Sequence, residues 1–390
     1  MSIKLIKSAF YHEMETRAKL CDFLSRPEQL SIGKYCREFE EKFATWQGRK
    51  YCVFVNSGSS ANLILLQSLL NTGRLHKGDE VGFSSLTWAT NVMPLMQLGY
   101  TPVPIDIELS TLNVSLETFK KSIEWKNLKA LFITNVLGFC DNIDEITEYC
   151  HTNGILLLED NCESMWSVYK GKKLGNYGFA STFSTYIGHH MSTIEGGMVC
   201  TDDRDLYINL VMTRAHGWDR NLPSDIQEEI RAKNNVSGFY AKYAFYTLWY
   251  NVRPNEINGF IGCTQMEYLD EIVSIRRANF LRFVDAVNSN PDFYPIQHAH
   301  IEVVSNFAIP VVCRNSQSLE KYKERFDAED VEIRPIISGD ITEHIFWKEA
   351  YGVLGKDTTA QLVHRQGFYF GNSPEYTEEE IQLLCNLLKA

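Results

Sequence analysis

The chain has 390 residues, enough for a large domain plus a smaller one, each with a core of its own. Lys and Arg number 38 against 49 Asp and Glu, a net charge of −11, so no basic patch is on offer to neutralise nucleic-acid phosphates and a small-molecule partner is expected. Ten cysteines lie singly in apolar or helical stretches, with no C-x-x-C pair and no secretory leader ahead of them, which suits reduced thiols in a cytoplasm and excludes a clustered iron–sulfur centre; no apolar run nears the ~20 residues of a membrane span.

Repeats and low-complexity tracts are absent. The stretch up to Gly48 reads as helices that pack against either a smaller domain or a partner subunit. From Tyr51 onward, short β-branched or apolar runs alternate with helical periodicity, the signature of a mostly parallel sheet sandwiched by helices. Strands are expected at Tyr51–Asn56, Glu80–Phe83, Thr101–Ile105, Ala130–Asn135 and Ile155–Glu159, and helices at Ala61–Leu70, Thr87–Leu98 and Ile143–Thr152. After Glu159 the strands come closer together, with a hairpin over Trp166–Leu174 turning at Gly171. Pro254–Val287 reads as one long helix, and a C-terminal α/β domain carries Phe307–Val312, Val331–Pro335 and a closing helix from Thr377. The boundary is placed near residue 270, giving a large domain over 1–270 and a small one over 271–390.

Three segments carry chemistry. Asn56-Ser57-Gly58-Ser59-Ser60-Ala61-Asn62 follows a strand and opens a helix, so free N–H groups, hydroxyls and the positive helix end converge where a phosphate would bind; a Ser-rich N-cap is equally common as plain structure. Leu157-Leu158-Glu159-Asp160-Asn161-Cys162-Glu163-Ser164 ends a buried strand in acidic residues, which at a strand's carboxyl end face the crevice where α/β proteins bind ligands, or else form an exposed acidic turn. Trp88, in Ser84-Ser85-Leu86-Thr87-Trp88-Ala89-Thr90, is either a core residue or a flat partner for a ring. The His189-His190 pair with Glu195 lacks a third ligand at metal spacing, so no metal is expected.

The run Ser184-Thr185-Tyr186-Ile187-Gly188-His189-His190-Met191-Ser192-Thr193-Ile194-Glu195-Gly196-Gly197 resembles the cofactor-lysine segment of the DegT/StrS-like nucleotide-sugar aminotransferases, which reads roughly S-F-x-x-x-K-x-x-x-x-G-E-G-G. His189 stands at the lysine position, and no lysine occurs between Lys173 and Lys233. Within that family a His-His pair ahead of Glu-Gly-Gly resembles the 3-dehydratases that act on GDP-4-keto-6-deoxymannose. The resemblance runs from Ile32-Gly33 to Gly371-Asn372.

It implies an α/β chain of the aspartate-aminotransferase-like type, fold type I of the pyridoxal phosphate enzymes, with a large mixed-sheet domain and a small C-terminal α/β domain. It implies pyridoxal or pyridoxamine 5′-phosphate held without a covalent bond, because a histidine moves protons but forms no stable Schiff base. Gly58, Ser59 and Ser184 would then hold the phosphate, Trp88 would stack on the ring, Asp160 would pair with the pyridinium nitrogen, and Glu163, where the aminotransferases have Gln, would accept a hydrogen bond near the 3-hydroxyl. Asn251 matches an asparagine that extends into the neighbouring subunit's phosphate site, so a homodimer with shared sites is implied. His189 would be the base, His216 a second proton handler or substrate contact, and Arg220 and Arg253 partners for diphosphate or carboxylate, or else structural ion pairs.

The reaction so implied is loss of the C3 hydroxyl from a GDP-linked 4-keto-6-deoxy sugar, hexose or heptose, with release of ammonia and recharging of the cofactor by L-glutamate, in deoxysugar synthesis for lipopolysaccharide or capsule. An aminotransferase using His189 in lysine's place, and a non-catalytic ligand-binding descendant, are the alternatives.

Overall fold

The alternation of apolar strands and helices builds one seven-stranded sheet whose parallel strands all deliver their carboxyl ends to the same edge. A computed structural model describes residues 2–27, 29–124, 126–353 and 357–390. Two helices, α1 (Glu13–Ser25) and α2 (Lys34–Gln47), precede the sheet. There follow β1 (Tyr51–Val55), α3 (Gly58–Asn71), β2 (Glu80–Ser84), α4 (Met93–Leu98), β3 (Thr101–Ile105), α5 (Leu116–Ser122), β4 (Leu128–Thr134), α6 (Ile143–Thr152) and β5 (Leu156–Asp160). A hairpin of β6 (Val168–Tyr169) and β7 (Lys172–Lys173) turns through Lys170 and Gly171, both at positive φ, as a two-residue hairpin connection requires. Then come β8 (Ala180–Ser184), β9 (Gly197–Thr201), α7 (Arg204–Arg214), α8 (Ser224–Lys233), α9 (Glu256–Met266) and α10 (Leu269–Asn288). The C-terminal part holds β10 (Ile301–Val303), β11 (Ala308–Val312), α11 (Ser316–Ala328), β12 (Ile333–Arg334), α12 (Ile345–Tyr351), α13 (Thr359–Gln366), β13 (Gly367–Gly371) and α14 (Glu378–Leu387).

The strand order is β1-β9-β8-β5-β4-β2-β3, and β9 is antiparallel to both its neighbours while the remaining pairs are parallel. Both faces of the sheet are covered. Leu131, Ile133 and Leu157 join one apolar cluster, whereas Ala130, Phe132 and Leu158, pointing the other way, join a second, the period-two alternation of a doubly buried strand. The first cluster continues without a break into the small antiparallel sheet β11-β13-β12 through Val311, Phe368 and Phe370 and into α10 through Phe280 and Phe283.

Two expected helices are interrupted. Thr87–Leu98 is a 3-10 turn at Ala89–Asn91 followed by the short α4, whose second residue is Pro94; proline has no N–H to give and is tolerated only in the first turn of a new helix. Pro254–Val287 is two helices. The first starts after Asn255, whose side chain accepts from the Asn258 N–H, and ends where Glu267 and Tyr268 close back on Thr264 and Gln265 in tighter i→i−3 bonds. The N-terminal segment lies along this chain's own small sheet, with Ile3 bridged to Val331, and α2 packs on α9 so closely that a Cβ at Gly259 would lie 2.6 Å from the Cys36 nitrogen. Among the described residues no helix is long and apolar enough to cross a membrane, and no cluster of His, Cys, Asp and Glu is arranged to hold a metal ion.

Candidate active site

Because β1, β5 and β8 run parallel, the residues at or just past their ends, Ser57-Gly58-Ser59, Asp160 with Cys162 and Glu163, and Ser184, meet at one edge of the sheet, the usual place for a ligand crevice in an open α/β sheet. There they line a cavity of about 310 Å³ together with Trp88 and His189.

One end of the cavity is an anion cradle. Ser57 caps the 14-residue α3, its hydroxyl accepting from the Ser60 N–H at 3.0 Å, which leaves the first N–H groups of the helix facing the cavity at Gly58 and Ser59. Two glycines permit the approach. A Cβ at Gly58 would stand 2.8 Å from Ser184 Cβ, and one at Gly197, the last residue of Glu195-Gly196-Gly197, would stand 2.3 Å from the Ser57 carbonyl oxygen.

The floor is Asp160, only 3% exposed. Its Oδ2 accepts from the side-chain amides of Asn62 (2.9 Å) and Asn91 (2.8 Å), and its Oδ1 from the Cys162 N–H (2.9 Å). A buried carboxylate whose donors are neutral amides is fixed in orientation and can still take a positively charged donor from the cavity side. Trp88, 54% exposed, lies alongside with its face available.

His189 and Glu163 supply groups that can hold or release protons. The His189 Nδ1 lies 2.6 Å from the Cys162 carbonyl oxygen, and its ring packs 4.8 Å from Phe307. Burial lowers its proton affinity below the usual imidazole value and Arg276 adds to the effect, against the opposing pull of the Cys162 carbonyl and Asp160. Burial pushes the Glu163 carboxyl up to about 8, helped by the negative charge of Asp160 and opposed by the hydrogen bond it accepts from the Leu137 N–H at 3.1 Å. At neutral pH the imidazole is therefore unprotonated, and the carboxyl is protonated, the reverse of its state in water.

His216, Arg220, Arg253 and Asn251 do not join this cavity. They form a separate cluster: His216 packs on Trp218 (4.6 Å) and Trp249 (4.8 Å), the Arg220 guanidinium covers Trp218 (4.1 Å) and Tyr243 (4.8 Å), and Arg253 donates to the exposed Asn251 Oδ1 at 3.0 Å. Neither arginine is in an ion pair among the described residues; each faces an aromatic ring instead. The cluster is nonetheless tied to the cradle from behind, since the Asn56 N–H donates to the Val252 carbonyl at 3.1 Å.

Several lining residues carried no sequence signal. Leu5 and Ile6 reach the cavity because the N-terminal segment crosses it, and Arg334 and Tyr369 come from the small sheet. Asn62, which does not line the cavity but donates to Asp160 from behind, had a visible cue, one helical turn after Gly58 and so on the same face of α3.

An anion cradle, a buried carboxylate opposite neutral donors and a flat aromatic face in one cavity fit a phosphorylated pyridine cofactor, and no lysine is among the described residues that line it. Comparison with known proteins agrees. The model of the DegT/DnrJ/EryC1/StrS aminotransferase family matches residues 12–389. GDP-4-keto-6-deoxy-D-mannose 3-dehydratase of Yersinia pseudotuberculosis is 36% identical over 369 residues, 92% of each chain, and the enzyme of that name from Escherichia coli O55:H7 is 34% identical over 374 residues, 93% of this chain and 94% of its own. A crystal structure of GDP-4-keto-6-deoxymannose-3-dehydratase with a trapped PLP-glutamate geminal diamine superposes over 100% of both chains with a TM-score of 0.89 at 31% identity.

Proposed function

The chain belongs to the DegT/DnrJ/EryC1/StrS aminotransferase family, and from that premise we propose that it is a coenzyme B6-dependent 3-dehydratase that removes the C3 hydroxyl of a GDP-linked 4-keto-6-deoxy sugar. The observation that carries the reading is His189: it stands in the cavity at the family's lysine position with Nδ1 committed to Cys162 and Nε2 without a hydrogen bond among the described residues. Such a group accepts a proton but makes no covalent bond to the cofactor.

When bound as its amine, the cofactor supplies a nucleophile for the substrate's C4 ketone and a pyridine ring able to take up an electron pair. Gly58, Ser59 and Ser184 would hold its phosphate, Asp160 would pair with the ring nitrogen, and Trp88 would offer its face to the ring. His189 Nε2, the ring nitrogen left free by the Cys162 contact, would be the group that takes up the proton released next to the ring. The C3 hydroxyl would then leave as water, with protonated His189 and Glu163 able to supply its proton. Loss of ammonia from the released product would discharge the amine, so L-glutamate is the expected donor that restores it. Hexose and heptose substrates share this C3–C4 chemistry, and hexose is the favoured one because the named relatives act on a deoxymannose.

The test is direct. Incubation of a GDP-linked 4-keto-6-deoxy sugar with enzyme, cofactor and glutamate should yield a 3-deoxy-4-keto sugar and ammonia. An amino sugar would mark an aminotransferase, and no turnover a non-catalytic descendant.

A further inference from the structure

Arg276 touches the site without facing its cavity. It sits on α10, is 8% exposed, and among the described residues no carboxylate is paired with it. Its donors go to three main-chain oxygens instead: Nε to Asn372 at 2.9 Å, Nη1 to His190 at 3.0 Å and Nη2 to His189 at 3.2 Å. A desolvated cation is costly unless its hydrogen bonds are made, and here the bonds it makes join two consecutive carbonyls of the catalytic turn to the end of β13.

We propose that Arg276 is a positioning residue: its planar guanidinium locks the His189–His190 backbone against Asn372 and thereby fixes where the His189 imidazole points. The proposal rests on the reading of His189 as the base. The turn from Tyr186 to Thr193 is neither helix nor strand, so its carbonyls have no ladder to satisfy them. Asn372 is itself immobilised, its side-chain amide donating to the Arg276 carbonyl at 3.0 Å and to Asn306 Oδ1 at 2.8 Å. On the far side of the same turn, His190 Nε2 is held by the Ser305 carbonyl at 3.1 Å. With the peptide clamped behind it and Nδ1 bound to Cys162 in front, the ring of His189 has one orientation left.

The fixed charge has a second effect. The titratable and charged groups around His189 are Asp160, Cys162 and Glu163 from β5 and the turn after it, Tyr186, His190 and Glu195 from its own loop, Arg334 and Tyr369 from the small sheet, Lys7 and Tyr11 from the N-terminal segment, Glu375 from the turn after β13, and Arg276 from α10. Asp160 favours the protonated ring; Arg276, with burial, favours the neutral one. Removing the cation therefore raises the proton affinity of His189, whereas a lysine keeps the charge but, with a compact ammonium, cannot span three carbonyls in one plane.

The experiment compares holoenzyme carrying R276M or R276K with wild type, following the His189 resonance in histidine-labelled protein, assigned by its loss in H189N, together with the pH dependence of kcat. In R276M the His189 titration should move to higher pH and kcat should fall about tenfold or more, the scale set by losing hydrogen bonds from a charged donor. In R276K the titration should stay near wild type while kcat still falls. A folded R276M whose His189 titrates as in wild type and whose kcat is within about twofold would overturn the proposal. So would a folded R276K at full kcat, which decides the matter if R276M does not fold. If the titration moves as expected but H189N keeps full activity, the assignment of the base fails and the clamp stands.

Discussion

The Nδ1 of His189 stands 2.6 Å from the carbonyl oxygen of Cys162, and a carbonyl can only accept. The proton of the neutral ring is therefore on Nδ1, and Nε2 carries the free lone pair. A backbone oxygen two residues past Asp160 thus selects the tautomer that a base needs. His189→Asn should keep the hydrogen bond but lose the base, lowering kcat by on the order of 10²–10⁴ with little change in cofactor affinity. Turnover within a few-fold of wild type would show that another group takes the proton.

The same geometry sets the low-pH limb of activity. Catalysis needs the neutral ring, and the neutral fraction falls as pH drops through the His189 pKa, which burial and Arg276 hold below the ordinary 6.5. The acid limb of kcat/KM is accordingly expected below 6.5, and Asp160→Asn, by removing the charge that favours the protonated ring, should carry it lower still.

Glu163 is expected to give the opposite limb. Its carboxyl is protonated until about pH 8, so a role as donor is lost as pH rises through that value. Glu163→Gln keeps a donor without a titration, and the alkaline limb near 8 should flatten in its kcat/KM profile. A limb that persists unchanged in the glutamine variant would assign it to another group.

Covalent chemistry supplies an independent check. No lysine is among the described residues lining the cavity, so borohydride should not fix cofactor to holoenzyme, as read by mass spectrometry of the digested protein. His189→Lys should reverse this, giving a new absorbance band and a reducible linkage while most dehydration is lost. A pyridoxyl adduct on wild-type protein at any active-site lysine would contradict the non-covalent assignment.

How much of this was legible in the sequence follows from the range of the forces involved. Period-two burial and a Ser-capped helix are local, and Thr101–Ile105, Ile143–Thr152 and the helix opening at Ser57-Gly58-Ser59 could be read directly. Local pattern could not report that Pro94 starts a new helix instead of continuing one, nor that Glu267 and Tyr268 tighten the end of α9. Within the site, Leu5, Arg334 and Arg276 come from segments far apart in the chain, and a buried arginine on an amphipathic helix looks like any solvated one until its partners are known. His216, Arg220 and Arg253 were visible as chemistry but not as place: rings and charges near one another in sequence stack on each other beside the cavity instead of entering it.

That outlying cluster bears on assembly. Asn251 is exposed and outside its own cavity, and the adjoining segment shows Phe239 (84% exposed), Tyr240 (69%) and Tyr243 (73%) to solvent, more aromatic surface than a lone subunit usually presents. We expect a homodimer or larger closed assembly by light scattering, with Asn251 serving the partner's phosphate cradle. Asn251→Ala should then weaken cofactor binding about tenfold without altering its own cavity. A monomer that binds cofactor as tightly would exclude the shared site.

Substrate choice is the remaining prediction. The residues at the cofactor speak to C3 and C4 of the sugar, not to the nucleotide, and a pocket contacting one further carbon discriminates by only ~1–3 kcal/mol. Hexose over heptose should therefore be a modest preference in kcat/KM, within about two orders of magnitude. The nucleotide preference should be sharper, because a site built to hydrogen-bond a guanine leaves its own polar groups unpaired when another base is bound. Rates of ammonia release from GDP-, CDP- and dTDP-linked 4-keto-6-deoxy sugars measure this directly. The GDP form is expected to lead, and a clear preference for CDP or dTDP would move the chain to a different substrate class while leaving the roles of His189 and Asp160 intact.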